Sequence, residues 1–295
     1  MGNIGKDENQ GSAATEVNEK KSACGIGEGD LVIVAGPCLL ESPELGMRIA
    51  ERLRAECESR GFGYIFKASF DKANRTSLHG ERGPGLDTGL EWLAKIRREA
   101  GVPVITDIHE PNQAAPVSEV TDMLQIPAFL CRQTDLLVAA ARTGRALNIK
   151  KAQFLAPEDM AYVVEKCRKS GAGNVILCER GTTFGYHQLV VDFRSLVSMR
   201  GLGCPVMFDA THSVQCPGSI GVSSGGDRRF ALPLARAALA IGIDALFMEV
   251  HPDPDSAKSD GPNMIRLDKI PWLLDQIRAV DDLSRKTLGF AELDW

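Results

Sequence analysis

Eight short apolar runs, each followed by polar or glycine-rich residues and then by a segment of helical period, constrain this chain more than any other feature. The runs are LVIVAG (31–36), YIFKAS (64–69), PVITDI (103–108), DMLQIPA (122–128), ALNIKK (146–151), NVILCER (174–180), PVMFDA (205–210) and DALFMEV (244–250). Such alternation is the signature of repeated βα units on a parallel sheet. Candidate helices include Pro43 to Arg60, Leu86 to Ala100, Pro157 to Lys169 and Arg229 to Gly242. Two of them open with the proline that suits a first helical turn. Eight units within about 260 residues predict a (β/α)8 barrel, a TIM barrel, rather than an open doubly wound sheet. The absence of a GxGxxG after the first run points the same way.

A chain of 295 residues with 44% hydrophobic content can bury a core of that size in one domain. Residues 1–28 are rich in Gly, Asn, Glu, Lys and Ser and lack apolar periodicity, so they are expected to form a disordered extension before a single catalytic domain over 29–295. A formal charge of -5 argues against nucleic-acid binding, which needs a broad surplus of Lys and Arg. The eight cysteines are scattered and no secretory signal precedes them, which fits a reducing cytoplasm. No apolar run approaches the roughly 18 residues of a membrane span.

A barrel gathers its catalytic groups where strands end and βα loops begin. Here the first run leads to Cys38, the second to Lys67 and Ser69, the third to Asp107 and His109, and the fifth to Lys150, Lys151 and Gln153. The sixth delivers Glu179 and Arg180, the seventh Asp209 and His212, and the eighth Glu249 and His251. Lys67, Lys72, Arg75, Arg132, Lys150, Lys151 and Arg180 make a cationic subset, and cations held in a barrel mouth imply phosphate or carboxylate ligands. The segment KASFDKANRTS (67–77) concentrates three of them and reads as an anion pocket. Cys38, His212, Glu249 and Asp260 have the ligand chemistry of a borderline divalent ion, although their spacing alone better fits packed core residues. Gly218 to Gly226 reads as a loop over the pocket or as a long connector. Cys131, Cys178 and Cys204 abut apolar runs and are expected to be buried thiols.

AGPCLLES (35–42), FKASFDKANRTS (66–77), GPGLDTGL (83–90), DIHEP (107–111), LQIPAFLCRQTDLL (124–137), KKAQF (150–154), CERGTTFGY (178–186), FDATHSVQ (208–215) and MEVHPDP (248–254) are then distinctive. Together they resemble the 3-deoxy-D-manno-octulosonate 8-phosphate synthase family from about Leu31 to the C-terminus. The resemblance implies a (β/α)8 barrel, usually a homotetramer, that condenses phosphoenolpyruvate with D-arabinose 5-phosphate and water and releases phosphate. The product would enter lipopolysaccharide assembly. Cys38 occupies the position that separates a metal-dependent branch (Cys) from a metal-independent one (Asn). The resemblance thus implies a divalent ion, Zn, Fe, Co or Mn, on Cys38, His212, Glu249 and Asp260. The loop KSDGPN (258–263) combines Ser259, like the metal-dependent form, with the Gly261-Pro262 of the other.

By the same resemblance Lys67, Lys150, Arg180 and Arg132 hold phosphoenolpyruvate, with Ser69, Gln153 and the backbone near Ala128 completing that site. Asp107 joins the substrate-binding set, and Asn74, Arg75 and Thr76 hold arabinose 5-phosphate. Lys72 is the expected general acid toward the aldehyde oxygen, with Asp260 or His212 managing the water proton. The related 3-deoxy-D-arabino-heptulosonate 7-phosphate synthases, which use erythrose 4-phosphate, are the alternative. They carry Lys-Pro-Arg-Thr where this chain has Lys72-Ala73-Asn74-Arg75-Thr76, a difference that favours the five-carbon aldose.

Overall fold

The computed structural model describes residues 24–75, 77–218 and 225–287. Eight parallel strands, β1 (Val32–Gly36), β2 (Gly63–Lys67), β3 (Val104–Asp107), β4 (Met123–Ile126), β5 (Ala146–Lys150), β6 (Val175–Glu179), β7 (Val206–Asp209) and β8 (Ala245–His251), pair in chain order. Parallel pairing of β1 with β8, from Val32 opposite Ala245 to Gly36 opposite Glu249, closes the sheet into the predicted barrel. Around it lie α1 (Pro43–Glu58), α2 (Leu86–Ala100), α3 (Ala114–Val120), α4 (Thr134–Arg142), α5 (Met160–Lys169), α6 (Arg194–Arg200), α7 (Ala231–Ile241) and α8 (Ile270–Thr287).

Local chemistry sets the element boundaries. Ser42 caps α1, its hydroxyl accepting from the Leu45 N–H at 3.2 Å, and Pro43 opens the first turn, where its missing N–H costs no hydrogen bond. The fourth run, read as 122–128 in the sequence, forms a strand only to Ile126. Pro127 cannot donate to a ladder, so the chain turns there into a 3-10 segment at Ala128–Leu130. At Gly36 an added Cβ would stand 2.1 Å from the Lys67 carbonyl, so glycine is what lets the ends of β1 and β2 approach.

Successive strand residues face opposite sides, and the barrel uses both. On β1, Ile33 and Ala35 pack outward against the helices, while Val32 and Val34 join Ile65, Ile105, Met123, Phe247 and others in the barrel interior. Ile26, 1% exposed, packs into that inner cluster beside the first residues of the strands and closes the barrel's floor. Residues 24–28, which the sequence assigns to the extension, therefore meet the barrel, and residues 1–23 lie outside the described residues. Cys131, Cys178 and Cys204 are buried as expected, and all eight cysteines are free thiols.

Candidate active site

Opposite the barrel's floor, at the carboxyl ends of the strands, lies a cavity of about 980 Å³. Lys67, Lys72, Asn74, Arg75, Asp107, Ala128, Lys150, Gln153, Arg180, His212 and Asp260, all singled out in the sequence, line it. Cys38, Ser69 and Glu249 are wholly buried in the wall behind them. Arg132 is exposed and absent from the lining, and its carbonyl accepts from Lys166. Thr76 and residues 219–224 of the glycine-rich loop lie outside the described residues. Lys151 and Glu179 turn away from the mouth. Their charges lie 3.6 Å apart, and Glu179 also accepts from Gly181 N and from Ser195 Oγ at the start of α6.

The Lys67 cluster is built where β2 ends. Ser69 Oγ accepts from Lys67 Nζ at 3.0 Å and from Lys72 Nζ at 2.9 Å, and donates to Asp107 Oδ1 at 2.5 Å. Burial works against the Asp107 charge, but Lys67, His109 and Lys72 outweigh it and hold this carboxyl well below its usual range. Burial and then Lys72 lower the Lys67 pKa, with Asp107 and Glu249 offsetting part of the loss. Two ammonium groups on one hydroxyl form a strong attractor for an anion.

A second cluster joins β5, β6 and β7. Lys150 Nζ donates to Asp209 Oδ2 at 2.6 Å and lies 3.9 Å above the Phe247 ring centre. The same carboxylate oxygen is 2.7 Å from His212 Nδ1. That contact orients the imidazole so that its other nitrogen, Nε2, lies 3.4 Å from Glu249 Oε1. Burial opposes the Asp209 charge too, yet His212 and Lys150 hold its carboxyl below the usual range. Arg180 donates to Gln215 Oε1 at 2.9 Å and keeps a second buried nitrogen, Nη1, with no partner. Burial lowers its pKa, and a free guanidinium edge in a buried wall is a site for an anion.

The third grouping is the thiol and carboxylate set. One donor atom each from Cys38, Glu249 and Asp260 falls within 4.8 Å of the others. Cys38 Sγ lies 3.0 Å from Asp260 Oδ2, and burial, Asp260 and Glu249 together push the thiol pKa well up. Both oxygens of Glu249 are buried without a hydrogen-bond partner. A buried carboxylate in that condition, beside a thiol and a second carboxylate, fits a divalent cation as its missing partner. His212 falls outside the 4.8 Å set, although its Nε2 lies 3.4 Å from Glu249 Oε1. Asp260 holds this position with φ at +52°, a conformation that Asp tolerates better than most residues.

The sequence named Asp209 as a strand end without a role, and it passed over Gln215 as a contributor. Asp209 orients His212, and Gln215 bridges Arg180 to Asp260, donating to Oδ1 at 2.8 Å. The Asp-x-x-His spacing of FDATH carried the first signal. Gln215 carried none, because the bridge joins residues 35 and 45 positions away.

These features define a class: a (β/α)8-barrel enzyme whose mouth gathers cationic side chains beside a thiol and carboxylate set that could hold a metal ion. Residues 14–284 match the model of the DAHP synthetase I family. The chain is 59% identical over 252 residues to the 2-dehydro-3-deoxyphosphooctonate aldolase of Nitratidesulfovibrio vulgaris (strain DP4), which covers 85% of this chain and 92% of that protein. Proteins of the same description from Magnetococcus marinus and Synechococcus sp. are 56% and 57% identical, covering 88% and 90% of this chain and 90% and 93% of their own lengths. The chain belongs to the DAHP synthetase I family, alongside its 2-dehydro-3-deoxyphosphooctonate aldolases.

Proposed function

We propose that this chain condenses phosphoenolpyruvate with D-arabinose 5-phosphate and water, giving 3-deoxy-D-manno-octulosonate 8-phosphate and phosphate. The names of its relatives favour this over the erythrose 4-phosphate reaction. The observation that carries the reading is one cavity lined by Lys67, Lys150 and Arg180 in its depth and by Asn74 and Arg75 nearer its rim. Two anions that repel in water can be held together there, and their orientation is much of what a two-substrate reaction requires.

In this mechanism Lys67, Lys150 and Arg180 bind the carboxylate and phosphate of phosphoenolpyruvate, with Ser69 and Asp107 fixing the ammonium groups. Gln153 and the backbone at Ala128 complete that site, and Asn74, Arg75 and Thr76 take the aldose phosphate. Carbon 3 of the enol attacks the aldehyde carbon while Lys72 protonates the aldehyde oxygen. Water adds at carbon 2, its proton accepted by Asp260 or by His212, whose ring Asp209 steadies, and phosphate departs. A divalent ion, Zn, Fe, Co or Mn, held by Cys38, Glu249, Asp260 and His212, would supply Lewis-acid polarisation of oxygen when bound. Arg132 lies outside the lining of this cavity within one copy of the chain.

Exposed aromatic residues at the barrel mouth, Phe129, Phe154, Phe184 and Tyr186, support self-association as a homotetramer. Among the described residues no helix is long and apolar enough to cross a membrane, and the free thiols suit the cytoplasm. Phosphate release from phosphoenolpyruvate tests the function. It is expected with arabinose 5-phosphate, not with erythrose 4-phosphate, to fall with chelator, and to return with added Mn, Fe, Co or Zn. Release that proceeds equally well with erythrose 4-phosphate would refute the substrate assignment, and release indifferent to chelator the metal.

A further inference from the structure

Ser259 stands where the cavity's outer cation meets its thiol. Its hydroxyl oxygen accepts from Arg75 Nη1 at 3.1 Å, lies 3.2 Å from Cys38 Sγ, and lies 3.2 Å from Asp260 Oδ2. The residue is 4% exposed, so water does not compete freely for these bonds. A hydroxyl has one proton and two lone pairs, whereas a guanidinium can only donate. Arg75 therefore occupies a lone pair and leaves the Ser259 proton for Asp260, or for the Cys38 sulfur once that sulfur is a thiolate. The adjoining backbone is tied in the same way. Arg75 Nη2 donates to Lys258 O at 3.1 Å, and Lys258 N donates to Glu41 Oε1 at 3.0 Å.

Arg75 has N–H groups to spare for a ligand. Of its five donors, one bonds Glu81 O at 2.7 Å and two reach Ser259 and Lys258, which leaves two for an anion. Arg75 is only partly buried, so a bound phosphate would fix a side chain that otherwise exchanges with water.

We propose that Ser259 is a positioning residue that couples the acceptor phosphate to the metal ligands. A sugar phosphate on Arg75 immobilises the guanidinium, the guanidinium orients the Ser259 hydroxyl, and the hydroxyl holds Cys38 and Asp260 in the geometry that receives a divalent ion. The inference rests on the reading of Arg75 and of the ligand set given above. Because binding free energies are linked, the effect is reciprocal: metal tightens sugar phosphate by the factor by which sugar phosphate tightens metal.

The test is a titration of the full chain with Mn²⁺, free ion followed by electron paramagnetic resonance, with and without saturating D-arabinose 5-phosphate. In the unsubstituted protein the sugar phosphate is expected to lower the Mn²⁺ dissociation constant about fivefold or more. Ser259→Ala, shown folded by a cooperative melt, should weaken Mn²⁺ binding about tenfold and abolish the response. Ser259→Thr, which keeps the hydroxyl, should restore both. Any direct contact between sugar and ion survives in Ser259→Ala, so an unaltered response there would overturn the relay alone, as would no response in the unsubstituted protein. Failure of arabinose 5-phosphate to bind the metal-free chain by calorimetry, or Mn²⁺ binding unchanged in Cys38→Ala, would overturn the underlying reading and the relay with it.

Discussion

Arg75 and Cys38 differ in what each should lose on substitution. A charge-assisted hydrogen bond contributes about 1.5–3 kcal/mol, so Arg75→Ala should raise the KM for arabinose 5-phosphate roughly ten- to a hundredfold. The KM for phosphoenolpyruvate should move little, and steady-state kinetics with each substrate varied in turn would show it. Cys38→Ala should weaken divalent-ion binding by at least the roughly tenfold typical of outer-shell changes, read by equilibrium dialysis against Mn²⁺ or Zn²⁺. Cys38, Glu249 and Asp260 were legible in the sequence only through the family pattern, because 211 positions separate the first from the second. Asp209 was half legible from its distance to His212. Ser259 stood out as a branch marker, but its bonds to Arg75 and Cys38 depend on loops that meet only in the folded barrel.

At the level of strands and helices, the buried Lys151 and Glu179 pair ties the end of β5 to the start of α6 through Ser195. Strand alternation explains the arrangement: Lys150 points into the mouth while Lys151 points into the wall, and Arg180 and Glu179 divide likewise. Sequence patterning located all four as strand-end charges but not the side each would take, since the chain is leaving regular β geometry there. Removing one member of a buried pair leaves an uncompensated charge and costs about 3–5 kcal/mol. Glu179→Ala should therefore lower the melting temperature by the order of 10 °C, at roughly 2–4 °C per kcal/mol, as calorimetry would register. The eight strands themselves were plain from their apolar runs. The second and the fourth were each overextended by two residues at their carboxyl ends, and at the fourth Pro127 accounts for the difference.

For the molecule as a whole, the balance of charge around the mouth governs its response to acid. Asp107 and Asp209 are lowered despite burial because Lys67 and His212, respectively, lead the charges that favour their ionised forms. A carboxyl depressed on folding contributes stability that is fully present above its unfolded pKa of about 3.9 and is lost as pH falls toward the folded value. These two groups should therefore give no loss of stability between neutrality and about pH 4, and progressive loss below it. Circular dichroism during acid titration would check this, and Asp209→Asn should flatten the acid limb. Ile26, which seals the floor, has a consequence for traffic through the cavity. Among the described residues the chamber is closed below by Ile26, so a guest seated on Lys67, Lys150 and Arg180 passes the Arg75 rim on its way in and again on its way out. Phosphoenolpyruvate should consequently load before the aldose, and the eight-carbon product should depart before anything lodged beneath it. Product-inhibition patterns would reveal that queue, and random entry would argue for a second door.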